Sequence, residues 1–289
     1  MKVLLLGAEG QVGRELRETI PAGMTVTAAG HNLLDITDLP ALQQALKEIQ
    51  PNAIINAAAY TAVDKAESER QQAFAVNAEG PANLALLAEE YDIDLIHIST
   101  DFVFDGRQGS PYRPESPTNP VSVYGASKRE GERQILEIRG SKALIVRTSW
   151  VYSSYGNNFV KTMLRLMREK TTLNVVSDQI GSPTWAKGLA SALWKMVELR
   201  LTGIHHWSDA GVASWYDFAQ AIQEESLSRG LLQRSIVIQP IPTALYPTPA
   251  SRPPYSVLDK TATWQALGYS ANHWRTSLCN MLQRIGKHG

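Results

Sequence analysis

Along the first 150 residues, short uninterrupted apolar runs alternate with longer stretches whose apolar positions return every three or four residues. The runs at 2–6, 25–29, 53–56, 95–98 and 143–146 lack a polar face, as strands do when a parallel sheet is covered on both sides. Periodic segments at 11–20, 39–49, 66–91 and 124–138 predict helices between them. Pro21 and Gln50-Pro51 end the first two, Thr37 or Asp38 caps the second, and Gly80-Pro81 is expected to break the third. Such alternation implies βαβ units. The fold class is α/β: a Rossmann-type doubly wound parallel sheet with a smaller C-terminal α/β substrate lobe.

Beyond residue 150 the alternation loosens. Helical periodicity at 157–170, 185–199, 214–228 and 274–284 surrounds one strand-like run at 204–207. Residues 239–254 hold six of the chain's fifteen prolines, which excludes helix and central strand and leaves an extended segment lying across a surface. Residues 1–150 are therefore taken as the Rossmann domain and 151–289 mainly as a lobe, some of whose segments can return to the sheet. The lobe is expected to face the strand C-termini, where open α/β sheets bind ligands.

Composition narrows the partners. The 289 residues, 44% hydrophobic, suffice for one large core with a smaller lobe. Twenty-eight basic residues balance twenty-eight acidic ones, so no global field favours nucleic acid or an anionic membrane, and an anionic ligand needs local devices. A single cysteine, Cys279, rules out an internal disulfide and fits a reducing compartment. With no apolar run of about 18 residues and no signal-peptide pattern, a soluble, cytoplasmic protein is expected.

Four clusters carry chemistry. Gly7-Ala8-Glu9-Gly10-Gln11-Val12-Gly13 joins the first strand to the first helix, where glycines permit a tight turn and let a pyrophosphate meet the helix N-terminus. Tyr124 and Lys128, four apart, share a helix face, so an ammonium can sit near a phenol and make it a better proton donor. Ser99-Thr100-Asp101 ends a strand at the ligand face, and Asn56-Ala57-Ala58-Ala59 ends another with side chains small enough to admit a flat ligand. The bland alternatives are a glycine turn, a solvated lysine, a Ser/Thr turn and helix–sheet packing.

Together these residues resemble the extended short-chain dehydrogenase/reductases, and among them the dTDP-4-dehydrorhamnose reductases, over nearly the whole chain. The narrower resemblance rests on Val63-Asp64-Lys65-Ala66-Glu67, Arg147-Thr148-Ser149-Trp150, Gly156-Asn157-Asn158-Phe159, the run at 178–184 and the proline-rich run at 246–253. It implies an enzyme reducing the C4 keto group of a dTDP-sugar with NADPH, NADH being the alternative cofactor. It further implies that Thr100, Tyr124 and Lys128 are catalytic, with Tyr124 protonating the C4 oxygen, Thr100 bonding the carbonyl and Lys128 holding the nicotinamide ribose. Gly7, Gly10, Gln11 and Val12 would line the pyrophosphate, Asp35 and Ile36 the adenine, and Ala57, Ala58, Ala59, Tyr60 and Thr61 the rest of the cofactor. Asp101, Trp150 and Asn158 would meet the substrate, and Asn77 would order the site. Arg252, in the segment extended enough to fold over a ligand, is assigned to the substrate diphosphate, with a solvated arginine as the alternative. A homodimer is expected. Some members are described with Mg²⁺, and Glu15 matches an acidic position on the first helix, although no metal site is read from this chain.

Three residues depart from that pattern. Glu9 puts a carboxylate in the phosphate loop, Phe102 stands where the family usually has tyrosine, and no acid follows the second strand at Ala29-Gly30-His31 to grip a ribose 2′-hydroxyl. The missing acid favours NADPH. An epimerase or dehydratase of the superfamily is the nearest alternative, though a dehydratase would carry Asp-Glu where Asp101-Phe102 stands. The other is a non-catalytic chain like the regulatory subunit of methionine adenosyltransferase.

Overall fold

The structure, a computed structural model, describes residues 1–288. In chain order the first half runs β1 (Lys2–Leu6), α1 (Gln11–Glu18), β2 (Thr25–Ala29), α2 (Leu39–Ile49), β3 (Ala53–Asn56), α3 (Val63–Ala66), α4 (Arg70–Phe74), α5 (Gly80–Glu90), β4 (Asp94–Thr100), α6 (Val123–Arg139) and β5 (Leu144–Thr148). The second half adds β6 (Val151–Tyr152), α7 (Phe159–Glu169), β7 (Thr172–Val176), β8 (Ile180–Gly181), β9 (Thr184–Trp185), α8 (Ala186–Glu198) and β10 (Gly203–His206). It closes with β11 (Ala213–Ser214), α9 (Trp215–Ser228), β12 (Val237–Ile241), α10 (Thr261–Leu267) and α11 (Trp274–His288).

Six strands form one parallel sheet in the order β10-β5-β4-β3-β1-β2. Leu4, Leu6, Ile54 and Ile145 point to one face and Val3, Leu5, Ile55 and Val146 to the other, each packed under helices, which is why these strands read as unbroken apolar runs. The order reverses between β1 and β3, and ligands bind open sheets of this kind outside the strand C-termini at such a point. The sixth strand, β10, comes from beyond residue 150 and pairs with β5, while α8 packs on the same side of the sheet as α1. The lobe has its own core of α7, α9 and α11 around Tyr152, Phe218 and Trp274.

Two expectations about local structure change. The long helix does not break at Gly80-Pro81: α4 runs into a π turn, Ala75–Glu79, and then into α5, with Pro81 in its first turn. A π turn relieves the missing proline N–H by shifting the hydrogen-bond ladder one residue. The interruption lies earlier, between α3 and α4. The proline-rich segment is extended apart from a 3₁₀ turn, Thr243–Leu245, and Pro240 sits in β12, which pairs with β7 alone. A two-stranded pair has only edges, where proline is tolerated.

Candidate active site

The glycines of the first turn are sterically required. Gly7 has φ +74°, and a Cβ there would stand 2.4 Å from the backbone nitrogen of Ala58. A Cβ on Gly13 would stand 2.2 Å from the Gly7 carbonyl oxygen, so α1 can approach β1 only without one. Gly10 is the N-cap of α1 and has no side chain to satisfy the first-turn N–H groups, which leaves them to an anion. These features fit a dinucleotide pyrophosphate. Asn158, besides capping α7, donates to the Gln11 side-chain oxygen at 2.9 Å and ties the segment after β6 to the glycine loop. Val12 packs against the main core. Ile36 is buried beneath Gly80, and the Asp35 carboxylate accepts from Thr37.

Glu9 is exposed and lies over Gly30 at the end of β2, 3.7 Å from Arg14. An acid therefore does reach the second strand's end, supplied by the loop and accompanied by a guanidinium. That pairing answers the repulsion expected from Glu9: its carboxylate faces solvent and Arg14.

The reacting end gathers where β4 stops. Thr100 Oγ1 accepts from the Phe102 N–H and donates to Asp101 at 3.1 Å. Ser122 caps α6, and Gly125 in its first turn lies so close to the Phe102 carbonyl that a Cβ would come within 2.2 Å of the oxygen. This approach sets Tyr124 beside Thr100 and against Phe102, ring edge to face at 5.6 Å. The Tyr124 residue is half-buried, but enclosure of its hydroxyl pushes its pKa up to about 12, the Thr100 hydroxyl opposing this and the Asp101 charge adding to it. The lowering expected from Lys128 does not contribute, its Nζ being turned to the Ile98 carbonyl and His97. Asp101 is itself pushed up to about 6 by burial, and its Oδ2 has no hydrogen-bond partner.

Lys128 is buried, its Nζ donating to the Ile98 carbonyl at 2.8 Å and lying 3.2 Å from His97 Nε2. Burial lowers its pKa to about 8 despite nearby Glu132. Asn77, in the π turn, exchanges bonds with both the N–H and the carbonyl of Tyr60 and donates to Ser127, which donates to the Tyr124 carbonyl. That network locks the segment Ala57, Ala58, Ala59, Tyr60 and Thr61 to the helix carrying Tyr124 and Lys128. His97 and Ser127 were not singled out from sequence; a polar residue inside an apolar strand was the available signal for His97.

On the lobe side, Trp150 has φ +47°, and its ring stacks on Trp215 at 3.5 Å with Gly181 beneath it. Arg252 is committed elsewhere than a diphosphate: it forks onto Asp64 at 2.8 and 3.0 Å and also donates to Thr248 and the Ala250 carbonyl. Asp64 follows β3 within reach of the proline-rich strap and also accepts from the Ala250 N–H, so it meets this guanidinium before any ligand does. The bidentate guanidinium holds the Asp64 carboxyl below the usual carboxylate range.

The residues around Glu15 do not fit Mg²⁺. Its carboxylate is fully buried, one oxygen accepting from Ser153 at 2.6 Å and the other from Arg284 at 3.0 Å, so a guanidinium already supplies the positive charge. Chelation with EDTA is accordingly expected to leave activity and melting temperature unchanged; a loss restored by Mg²⁺ would refute this.

A profile of the RmlD substrate binding domain matches residues 1–286. The chain belongs to that family. A dTDP-4-dehydrorhamnose reductase of Aggregatibacter actinomycetemcomitans is 41% identical, over 97% of this chain and 98% of the relative. One from Streptomyces griseus is 42% identical, over 95% and 91%. Among solved structures, the Bacillus anthracis dTDP-4-dehydrorhamnose reductase in complex with NADP superimposes with a TM-score of 0.91 at 37% identity, over 98% of this chain and 99% of that one. A dTDP-glucose 4,6-dehydratase, 15% identical, shares the fold alone. Among the described residues no helix is long and apolar enough to cross a membrane.

Proposed function

We propose that the chain reduces the C4 keto group of dTDP-6-deoxy-L-lyxo-4-hexulose (dTDP-4-dehydro-L-rhamnose) with NADPH, giving dTDP-L-rhamnose. The observation that carries the residue assignments is the meeting of Thr100, Tyr124 and Lys128 at the strand ends beside an uncapped, glycine-lined helix N-terminus. NADPH supplies the hydride. Thr100 bonds the carbonyl, Tyr124 gives its phenolic proton to the C4 oxygen, and Lys128 bonds the nicotinamide ribose. With its pKa pushed up to about 12, Tyr124 is protonated at neutral pH, and a charged Lys128 brought near it would lower that pKa toward the working range. Asp101 and Trp150 border the sugar, and Asn158 acts through Gln11. The proline-rich strap is latched to Asp64, just beyond the end of β3, through Arg252, and an extended segment of that length suits a nucleotide sugar better than a small ketone. A cytoplasmic homodimer is part of the proposal, with sedimentation equilibrium as the check on assembly.

The substrate is an unstable epimerisation product, so the test couples two enzymes. NADPH oxidation is expected only when dTDP-4-keto-6-deoxyglucose and its epimerase are both supplied, with dTDP-L-rhamnose identified by NMR. Rapid turnover of the unepimerised sugar would instead mark a different dTDP-hexose reductase. NADPH should serve at least as well as NADH, because Arg14 accompanies Glu9 at the end of β2 and can meet a 2′-phosphate; a strong preference for NADH in kcat/KM would overturn this.

A further inference from the structure

A buried hydrogen-bond chain beneath Lys128 determines where its protons sit. Asn56, ending β3, and His97, on β4, are wholly buried. The Asn56 amide has one workable orientation: its Oδ1 accepts from the Ala58 N–H at 3.0 Å, so Nδ2 is the atom 3.1 Å from His97 Nδ1. An amide nitrogen only donates, so Nδ1 must be the imidazole's lone-pair nitrogen. In a neutral ring the proton then sits on Nε2, and complete burial keeps this ring neutral. Nε2–H points at Lys128 Nζ, 3.2 Å away, whose own proton goes to the Ile98 carbonyl. The chain closes only if Nζ offers a lone pair to Nε2–H. An amine has one and an ammonium has none.

We propose that His97 is a positioning residue that favours the neutral amine of Lys128 over its ammonium before the cofactor binds. Cofactor binding then takes up one proton from solvent: the Nζ lone pair accepts it, the bond from Nε2–H is lost, and the ammonium is released to turn toward the ribose hydroxyls. Protonation and repositioning of the lysine become one event. The other charged or titratable groups facing Nζ are few. Glu132, one turn along α6, favours the ammonium but is bound to Arg147. Tyr124, one turn back, is neutral, and Asp101 comes from the end of β4. The inference rests on the assignment of Lys128 to the cofactor, but its first test does not.

That test is ¹⁵N NMR of histidine-labelled, cofactor-free protein at about pH 9, where the amine form is populated. His97, identified by its absence in His97→Gln, should show Nε2–H and an unprotonated Nδ1; the Nδ1–H tautomer overturns the proposal. The second is calorimetric titration with NADP⁺ at the same pH in buffers of different ionisation enthalpy. Wild type should take up about one proton per cofactor bound. In His97→Gln the side-chain carbonyl can accept from an ammonium beforehand, so uptake should fall several-fold; equal uptake overturns the proposal. Should that variant fail to fold, Asn56→Asp replaces the donor facing Nδ1 with an acceptor, and uptake should fall likewise with the tautomer inverted. Absence of NADP⁺ binding would count against the proposed function while leaving the tautomer result standing.

Discussion

Tyr124→Phe is expected to cut kcat by roughly 10²–10⁴-fold, the range typical of a lost general acid, while NADPH affinity stays unchanged. The substitution removes one oxygen and keeps the ring, so the edge-to-face contact with Phe102 and the start of α6 survive. With the phenol's pKa pushed up to about 12, the wild-type acid is protonated across the physiological range, so between pH 6 and 9 the wild-type rate should show no loss from ionisation of this phenol. Steady-state rates and a fluorescence titration with NADPH separate the two effects. More than about half the wild-type rate would remove Tyr124 from the mechanism.

The largest effect on stability is expected from Glu132→Ala. Glu132 and Arg147 are 3–4% exposed by side chain and paired at 2.7 Å, with a second guanidinium contact at 3.0 Å. Arg147 also donates to the Pro114 carbonyl and lies over the Phe104 ring, so it cannot swing to solvent without dismantling the loop after β4. Removing the acid leaves a buried, uncompensated cation, a change that costs about 3–5 kcal/mol. Urea denaturation should show the midpoint falling with an unchanged slope. A loss below about 1 kcal/mol would mean that the guanidinium finds water or another partner.

The sheet strands were legible because burial on both faces leaves no polar alternation to confuse the reading, and the ends of the first two helices and the Asp38 cap fell close to where capping chemistry put them, whereas Gly80-Pro81 did not end a helix. The two-residue strands of the lobe were not, since two residues carry no period, and Thr172–Val176 alternates too briefly to stand out. At the site, Gly7, Gly13, Tyr124 and Lys128 announced themselves by spacing. Arg252 misled for a physical reason: sequence shows a cation in an extended segment but not that Asp64, 188 residues earlier, lies opposite it. His97 escaped notice because its importance depends on Asn56 and Lys128 converging on its two ring nitrogens from different elements.

The pairing of β10 with β5 has a consequence for synthesis. When a ribosome has released residues 1–150, strands β1 to β5 can assemble, but β5 is left as a bare edge with unsatisfied backbone groups. It stays uncovered until residues 203–206 emerge, after the stretch carrying α7 and α8 has passed. At about 5–20 residues per second that is a window of several seconds in which an apolar edge strand is open to a neighbouring nascent chain. The N-terminal half is therefore no self-sufficient fragment: cut at residue 150 it should aggregate, and the intact chain should depend on chaperones before residue 206 leaves the tunnel.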